Sequence, residues 1–302
     1  MAHYWGTLSS VVLPIIIVCV FGAAMQKWKP VETKTLADVS LYILAPCLVI
    51  IVLANSHLQG KNIASIFWFT IIQTACCWLL AKIVVKVFKF APRQSSALTL
   101  TTIFGNANNY GLPVLLLAYG AVGLVNGAAY VIGQIVLINS LGLYIASRSN
   151  VSAKQALLRI IKTPLIYAVI LGSALYIFHV LVPKGVASGL HLLGDSYPAI
   201  VLLILGMQLG KVRYKGMKRK EVWLSVGLRL LIVPIISKLC IILLGIKGVL
   251  ASILFVQSSM PAAVNTIVFS NLYGSDDEMV TLTVAITTVT SFVTLPLLIL
   301  YS

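Results

Sequence analysis

The sequence predicts an all-α integral membrane protein: ten transmembrane helices as two inverted five-helix repeats, with broken crossover helices four and nine. Three observations predict it. Apolar residues make up 60% of the 302 and charged residues only 10%, whereas a soluble domain is roughly 25% charged. Lys and Arg alternate between dense and sparse from loop to loop. Proline and glycine landmarks recur about 150 residues apart.

The spans come first. Apolar runs cover 8–26, 36–55, 63–81, 95–118, 122–146, 163–182, 190–210, 222–245, 248–272 and 278–300. Each is close to the roughly 20 residues a helix needs to cross a bilayer. Backbone polar groups in hydrocarbon must be satisfied internally, which leaves helices or closed barrels. The runs are long rather than short and alternating, so they read as helices. The first lacks a basic leader and a small-residue cleavage site, so it is expected to be a membrane helix and not a signal peptide. The longest loop, 147–162, is too short for a soluble domain.

Charge then sets orientation. Seventeen of the 22 Lys and Arg residues fall in loops after odd-numbered spans. Lys61, Lys184 and Lys247 lie on the other side, and Arg229 and Lys238 lie inside span eight. This asymmetry puts the odd loops in the cytoplasm and both termini outside, in the cell inner (plasma) membrane. It also accounts for the net charge of +15 without any nucleic acid.

The repeat rests on landmarks in order. Pro14 and Gly22 match Pro164 and Gly172; Pro46 matches Pro198; Tyr119-Gly120 matches Tyr273-Gly274. The repeats are 1–146 and 163–302, joined by the cytoplasmic loop 147–162. Five spans is an odd number, so the second copy starts from the opposite side of the membrane. Inverted repeats of this kind are typical of secondary transporters.

Spans four and nine carry the chemistry. Span four contains Gly105-Asn106-Ala107-Asn108-Asn109-Tyr110-Gly111-Leu112-Pro113. Span nine contains Ser258-Ser259-Met260-Pro261-Ala262-Ala263-Val264-Asn265-Thr266. Such residues are costly in hydrocarbon, and Pro removes a helix hydrogen bond. They persist where a broken helix lines a cavity. A break exposes half-helix N-termini, whose free N–H groups and positive partial charge can hold a carboxylate. Asn106, Asn108, Asn109, Asn265, Ser258 and Ser259 are therefore the candidate substrate-binding side chains. Gly105, Gly111, Pro113 and Pro261 shape the crossover backbone. Packing between helices is the competing reading for the same small and polar residues.

Other polar groups say less. Gln73, Gln134, Asn139 and Gln208 suit a cavity or helix pairing equally. Arg229 and Lys238 point to opposite faces of one helix; at least one should snorkel or pack, and either could attract an anion. Asp195 suits a helix end. Asp276, Asp277 and Glu278 suit the N-terminus of span ten. Cys19, Cys47, Cys76, Cys77 and Cys240 read as small buried hydrophobes. His3, His57, His179 and His191 sit near outer span ends and form no H-x-x-x-H pattern. No catalytic constellation, metal site or cofactor site is expected.

At these residues the chain resembles the auxin efflux carrier family, which includes plant carriers and bacterial malate or malonate permeases. Asn106 with Gly111-Leu112-Pro113 resembles the family's first crossover. Met260-Pro261, Asn265 and Phe269 through Tyr273-Gly274 resemble the second. Ser291-Phe292-Val293-Thr294-Leu295-Pro296 resembles its terminal helix, and Gly206-Met207-Gln208-Leu209 also fits. The resemblance implies a scaffold, 8–55 plus 163–210, and a mobile transport domain, 63–146 plus 222–300. It implies small organic anions as cargo, elevator-type rocking, and helices four and nine crossing at the substrate. The long cytoplasmic loop of some plant members is absent, which favours a compact bacterial carrier. Bile-acid symporters and sodium/proton antiporters share the architecture, but spans four and nine hold no carboxylate for a cation site.

The expected function is therefore secondary active or facilitative transport of a small carboxylate, with the bilayer and that anion as partners. A homodimer through the scaffold helices is a further expectation. An amino acid or other zwitterion as cargo, a non-transporting sensor, and a channel remain as alternatives.

Overall fold

The computed structural model describes residues 2–55, 60–142, 144–145, 158, 161–212 and 216–302. Most of the expected loop 147–162 lies outside the described residues, as do His57, Arg213 and Lys215. The described residues are helical, with one isolated β-bridge between Gly105 and Ala262.

The first half runs through α1 (Tyr4–Trp28), α2 (Thr33–Ala54), α3 (Gly60–Val87), α4 (Pro92–Ile103) and α5 (Ala107–Gly142). The second runs through α6 (Pro164–Ile177), α7 (Lys184–Gly194), α8 (Tyr197–Lys211), α9 (Lys220–Leu243), α10 (Val249–Ser258), α11 (Asn265–Tyr273) and α12 (Asp277–Leu300).

Among the described residues, seven helices are long and apolar enough to cross a membrane, counting α7 and α8 together. The sequence has ten apolar runs, and the difference has a physical cause. Chain breaks cut spans four and nine into α4, α10 and α11, each shorter than a bilayer crossing. Helix α6 is also short. Helix α5 joins the end of span four to span five across a kink at Gly120, where φ is 61° and ψ is −146°. Gly274, at φ 72°, turns the chain after α11. A side chain at either position would be strained.

Prolines shape the helices without ending them. Pro14, Pro46, Pro113 and Pro234 each follow a π-turn, formed by Leu8–Val12, Ser40–Leu44, Ala107–Gly111 and Leu228–Ile232. A proline ring clashes with the carbonyl one turn back and offers no N–H. Widening that turn accommodates the ring. The residue before each proline reaches back five residues for its acceptor, as Leu112 does to Ala107.

Burial departs from that of a soluble protein: polar side chains lie inside among the apolar core, and large apolar ones lie outside. Gln73, Gln257, Thr101, Thr283 and Thr287 are completely buried, while Trp28, Leu181 and Leu243 stand outside, more than 80% exposed. An apolar exterior of this extent suits lipid. Helix α1 lies along α8, and α6 lies on α2. The glycines set these approaches: a Cβ at Gly22 would strike the Leu203 backbone, and one at Gly172 would strike Leu53 and Ile50. Small residues of this kind let membrane helices pack backbone to backbone.

The cysteines are free thiols. Cys19, Cys77 and Cys240 are buried as expected, but Cys76 faces outward because it adjoins Cys77 on a helix and must take a different face.

Candidate functional site

The two breaks meet. After α4 the chain is extended at Phe104 and Gly105, and after α10 it is irregular through Ala262 and Ala263. These stretches pair antiparallel: Asn106 N–H donates to Pro261 O at 2.7 Å, and Ala263 N–H donates to Phe104 O at 2.9 Å. Each break thus satisfies part of the other's freed backbone. The pairing leaves two helix C-termini, of α4 and α10, and two N-termini, of α5 and α11, around one point.

Arg229 occupies the C-terminal side. It is 1% exposed. Its Nε donates to Met260 O at 2.8 Å, Nη1 to Thr102 O at 2.9 Å, and Nη2 to Ser258 O at 2.9 Å. The carbonyl ends of both broken helices therefore converge on one guanidinium. Among the described residues no carboxylate pairs with it. Gly105 makes room, since a Cβ there would run into the guanidinium. Gly111 makes room for Gln257 in the same way, and Gln257 Nε2 donates to Ala107 O at 2.9 Å.

The asparagines lie on the N-terminal side. A small inner cavity of about 40 Å³ is lined by Gly105, Asn106, Asn108, Asn109, Gln134 and Asn265. That is room for a water or so, whose share of liquid volume is roughly 30 Å³. Asn106 is 4% exposed, and its Nδ2 has no hydrogen-bond partner among the described residues. Asn108, Asn109 and Asn265 also line a vestibule of about 540 Å³, which continues past Gln208 to Lys34 and Asp38 at the start of α2. This volume falls in the roughly 300–1,000 Å³ range of small-molecule sites. Asn108 Nδ2 donates to Asn109 Oδ1 at 3.1 Å, and Tyr197 of α8 donates to Asn108 Oδ1 at 3.2 Å.

Of the six candidate side chains, four gather at these cavities. Ser258 and Ser259 line neither. Ser258 Oγ bonds back to Leu254 O at 2.7 Å within its own helix, and its carbonyl serves Arg229. Pro113 and Pro261 are buried at the crossover. Gln134 and Gln208 face the cavities, whereas Gln73 donates to Cys77 and Asn139 to Ile135 O. Lys238 reaches the chain end, donating to Tyr301 O at 3.2 Å. Sequence reasoning left Arg229 undecided, because its partners are carbonyls, which every residue carries. It missed Gln257 and Tyr197, although a Gln directly before Ser258-Ser259 in an apolar run was a usable signal.

A separate groove of about 390 Å³ between α3, α5 and α6 is lined mostly by apolar side chains such as Ile66, Phe67 and Val169. Its polar side chains are the hydroxyls of Thr70 and Ser173, and no charged or amide side chain lines it.

A multi-pass chain whose buried polar groups converge on two crossed helix breaks beneath a vestibule is organised as a membrane transport protein. The chain belongs to the membrane transport protein family, that of the auxin efflux carriers, which it matches over residues 7–299. Its relatives include an uncharacterized transporter of Methanocaldococcus jannaschii, 25% identical over 297 residues and covering 95% of both chains. An uncharacterized transporter of Methanothermobacter thermautotrophicus is 25% identical over 269 residues, 88% of each chain.

Proposed function

We propose that this membrane transporter is a secondary carrier, active or facilitative, for a small carboxylate, holding its cargo where the two breaks cross. The observation that carries the reading is the donor set where the vestibule, which has the room for a ligand, meets the inner cavity. Asn106, Asn108, Asn109 and Asn265 meet the N-termini of α5 and α11 there, with no carboxylate in the inner cavity's lining. Helix N-termini favour anions, and amide groups add directed donors. The unpartnered Nδ2 of buried Asn106 is a donor suited to such a ligand.

Ten passes in two inverted halves best explain the architecture. Exchanging the halves turns the α1–α8 contact into the α6–α2 contact, and turns Gly22 against Leu203 into Gly172 against Ile50 and Leu53. The scaffold is then 8–55 with 163–210, and the moving domain 63–146 with 222–300. The Tyr197–Asn108 hydrogen bond crosses that boundary and would break in an elevator stroke. The vestibule opens beside Lys34, on the side that the loop charges assign to the cytoplasm, which supports an inward-facing state of a plasma-membrane carrier.

Proteoliposomes loaded with purified protein test the reading. Uptake of a carboxylate should fall at least tenfold in Asn106→Ala and in Asn265→Ala. Undiminished uptake in both would remove the crossover as the site. Asp38 beside Lys34 in the vestibule favours a zwitterion as the second reading. A thermal-shift screen separates the two: stabilisation by amino acids and not by simple acids would establish the second.

A further inference from the structure

The anion reading leaves one buried cation unused. Arg229 lies in the π-turn Leu228–Ile232 of α9, and its three nitrogens donate to Met260, Thr102 and Ser258 carbonyls. A fourth carbonyl, of Ile103, stands 3.5 Å away. All four belong to the ends of α4 and α10 or the residues just beyond. A helix C-terminus carries about half a negative charge, so two of them balance roughly one cation. An ionisable group inside a membrane is costly and calls for a function. Its planar fork suits several acceptors in one plane, which a lysine could not match.

We propose that Arg229 is a resident counter-cation for the crossed breaks. It fills a cage of carbonyl oxygens that would otherwise call for a bound alkali-metal ion. The carrier therefore holds its anion without co-binding sodium or potassium. Arg229 does not line the inner cavity; it is a positioning residue, fixing the paired segments so that the opposite helix N-termini face the ligand. The transport arm of this inference rests on the carrier reading, but the cage itself does not.

The test uses the purified full chain and two readouts, melting temperature and carboxylate uptake. Wild type should show the same uptake and melting temperature when sodium or potassium is replaced by choline. Arg229→Ala should melt about 10 °C lower, as expected for leaving buried polar groups uncompensated in a chain of this size. Millimolar guanidinium, refilling the cage, should restore melting temperature and uptake, and tetramethylammonium at equal concentration should not. Arg229→Lys, the variant best placed to fold, keeps a cation among the carbonyls and should melt between wild type and Arg229→Ala without gaining from sodium, whereas Arg229→Ala should gain from it. Arg229→Met fills the space without charge and should stay destabilised with or without guanidinium. Sodium-dependent uptake by wild type, a fully stable Arg229→Met, or indifference of Arg229→Ala to guanidinium would each overturn the proposal. If wild type moves no carboxylate but guanidinium still stabilises Arg229→Ala, the carrier reading falls and the cage stands.

Discussion

Arg219 and Arg229 stand one residue before α9 and three turns into it, and they solve the problem of a positive charge in opposite ways. Arg219 is partly exposed and meets acids: Asp276 at 3.1 Å through Nη1, Glu278 at 3.4 Å, and Glu221 at 4.0 Å. Arg229 is buried and meets backbone carbonyls. Near water, a carboxylate is cheap to bring up to a cation, and the pair adds modest stability. In the interior, a carboxylate would carry its own desolvation penalty. Helix ends already present there supply the compensating charge at no such cost. One helix thus bears a surface ion cluster that ties α9 to α12 and a buried staple that ties α4 to α10.

Breaking the buried end should cost most. Gly105→Ala drives a methyl group into the Arg229 guanidinium. It should lower stability by about 3 kcal/mol through displaced hydrogen bonds and overpacking. Denaturation measured at low and high salt should show the same loss, because the cage is buried.

The surface end should cost less and respond to salt. Asp276 caps α12, accepting from Met279 N–H at 3.0 Å while it pairs with Arg219. Asp276→Ala should cost about 1–2 kcal/mol, the sum of a lost cap and a partly exposed ion pair. The ion-pair share should fade as salt is raised.

Acid separates the two regions further. Burial pushes the Asp276 carboxyl up, but the Arg219 hydrogen bond and the Met279 N–H outweigh it and hold the group below its ordinary 3.8. The same hydrogen bond to Asp276 raises the Arg219 pKa. A carboxyl depressed by folding contributes its full stability above its unfolded value. That contribution is lost as the pH falls through the folded value. A melting series descending below pH 4 should therefore lose the wild-type advantage over Asp276→Asn. The Gly105→Ala deficit, which involves no acid, should persist.

Lys238, a further cation of α9, marks the low end. It reaches Tyr301 O and stands 5.0 Å from the Phe255 ring centre while remaining partly exposed. Lys238→Met should change melting by no more than the equivalent of about 0.5 kcal/mol.

Much of this was legible from one dimension. Asn106 through Pro113 and Ser258 through Asn265 stand out because their residue types are expensive in an apolar run, and that expense is local. Asp276 was legible as a cap because capping is also local. The seryl side chains show the limit. Ser258 was a candidate ligand beside Asn265, but a hydroxyl in a helix can bond to the carbonyl four residues back, and Ser258 does so. Tyr197 reaches Asn108 across 89 positions of sequence, which no local pattern encodes.

The sequence by itself determined that the chain belongs in a membrane, where its polar breaks lie, and which landmarks recur between its halves. Those properties follow from composition and spacing, which need no partner. Only the tertiary structure decided that the breaks pair through Gly105 and Ala262, that Asn106 is sealed inside while Asn265 opens to the vestibule, and that Arg229 belongs to the carbonyls. The reason is that backbone groups do most of the binding there. A carbonyl has no letter in the sequence, so its role is visible only once the fold aims it.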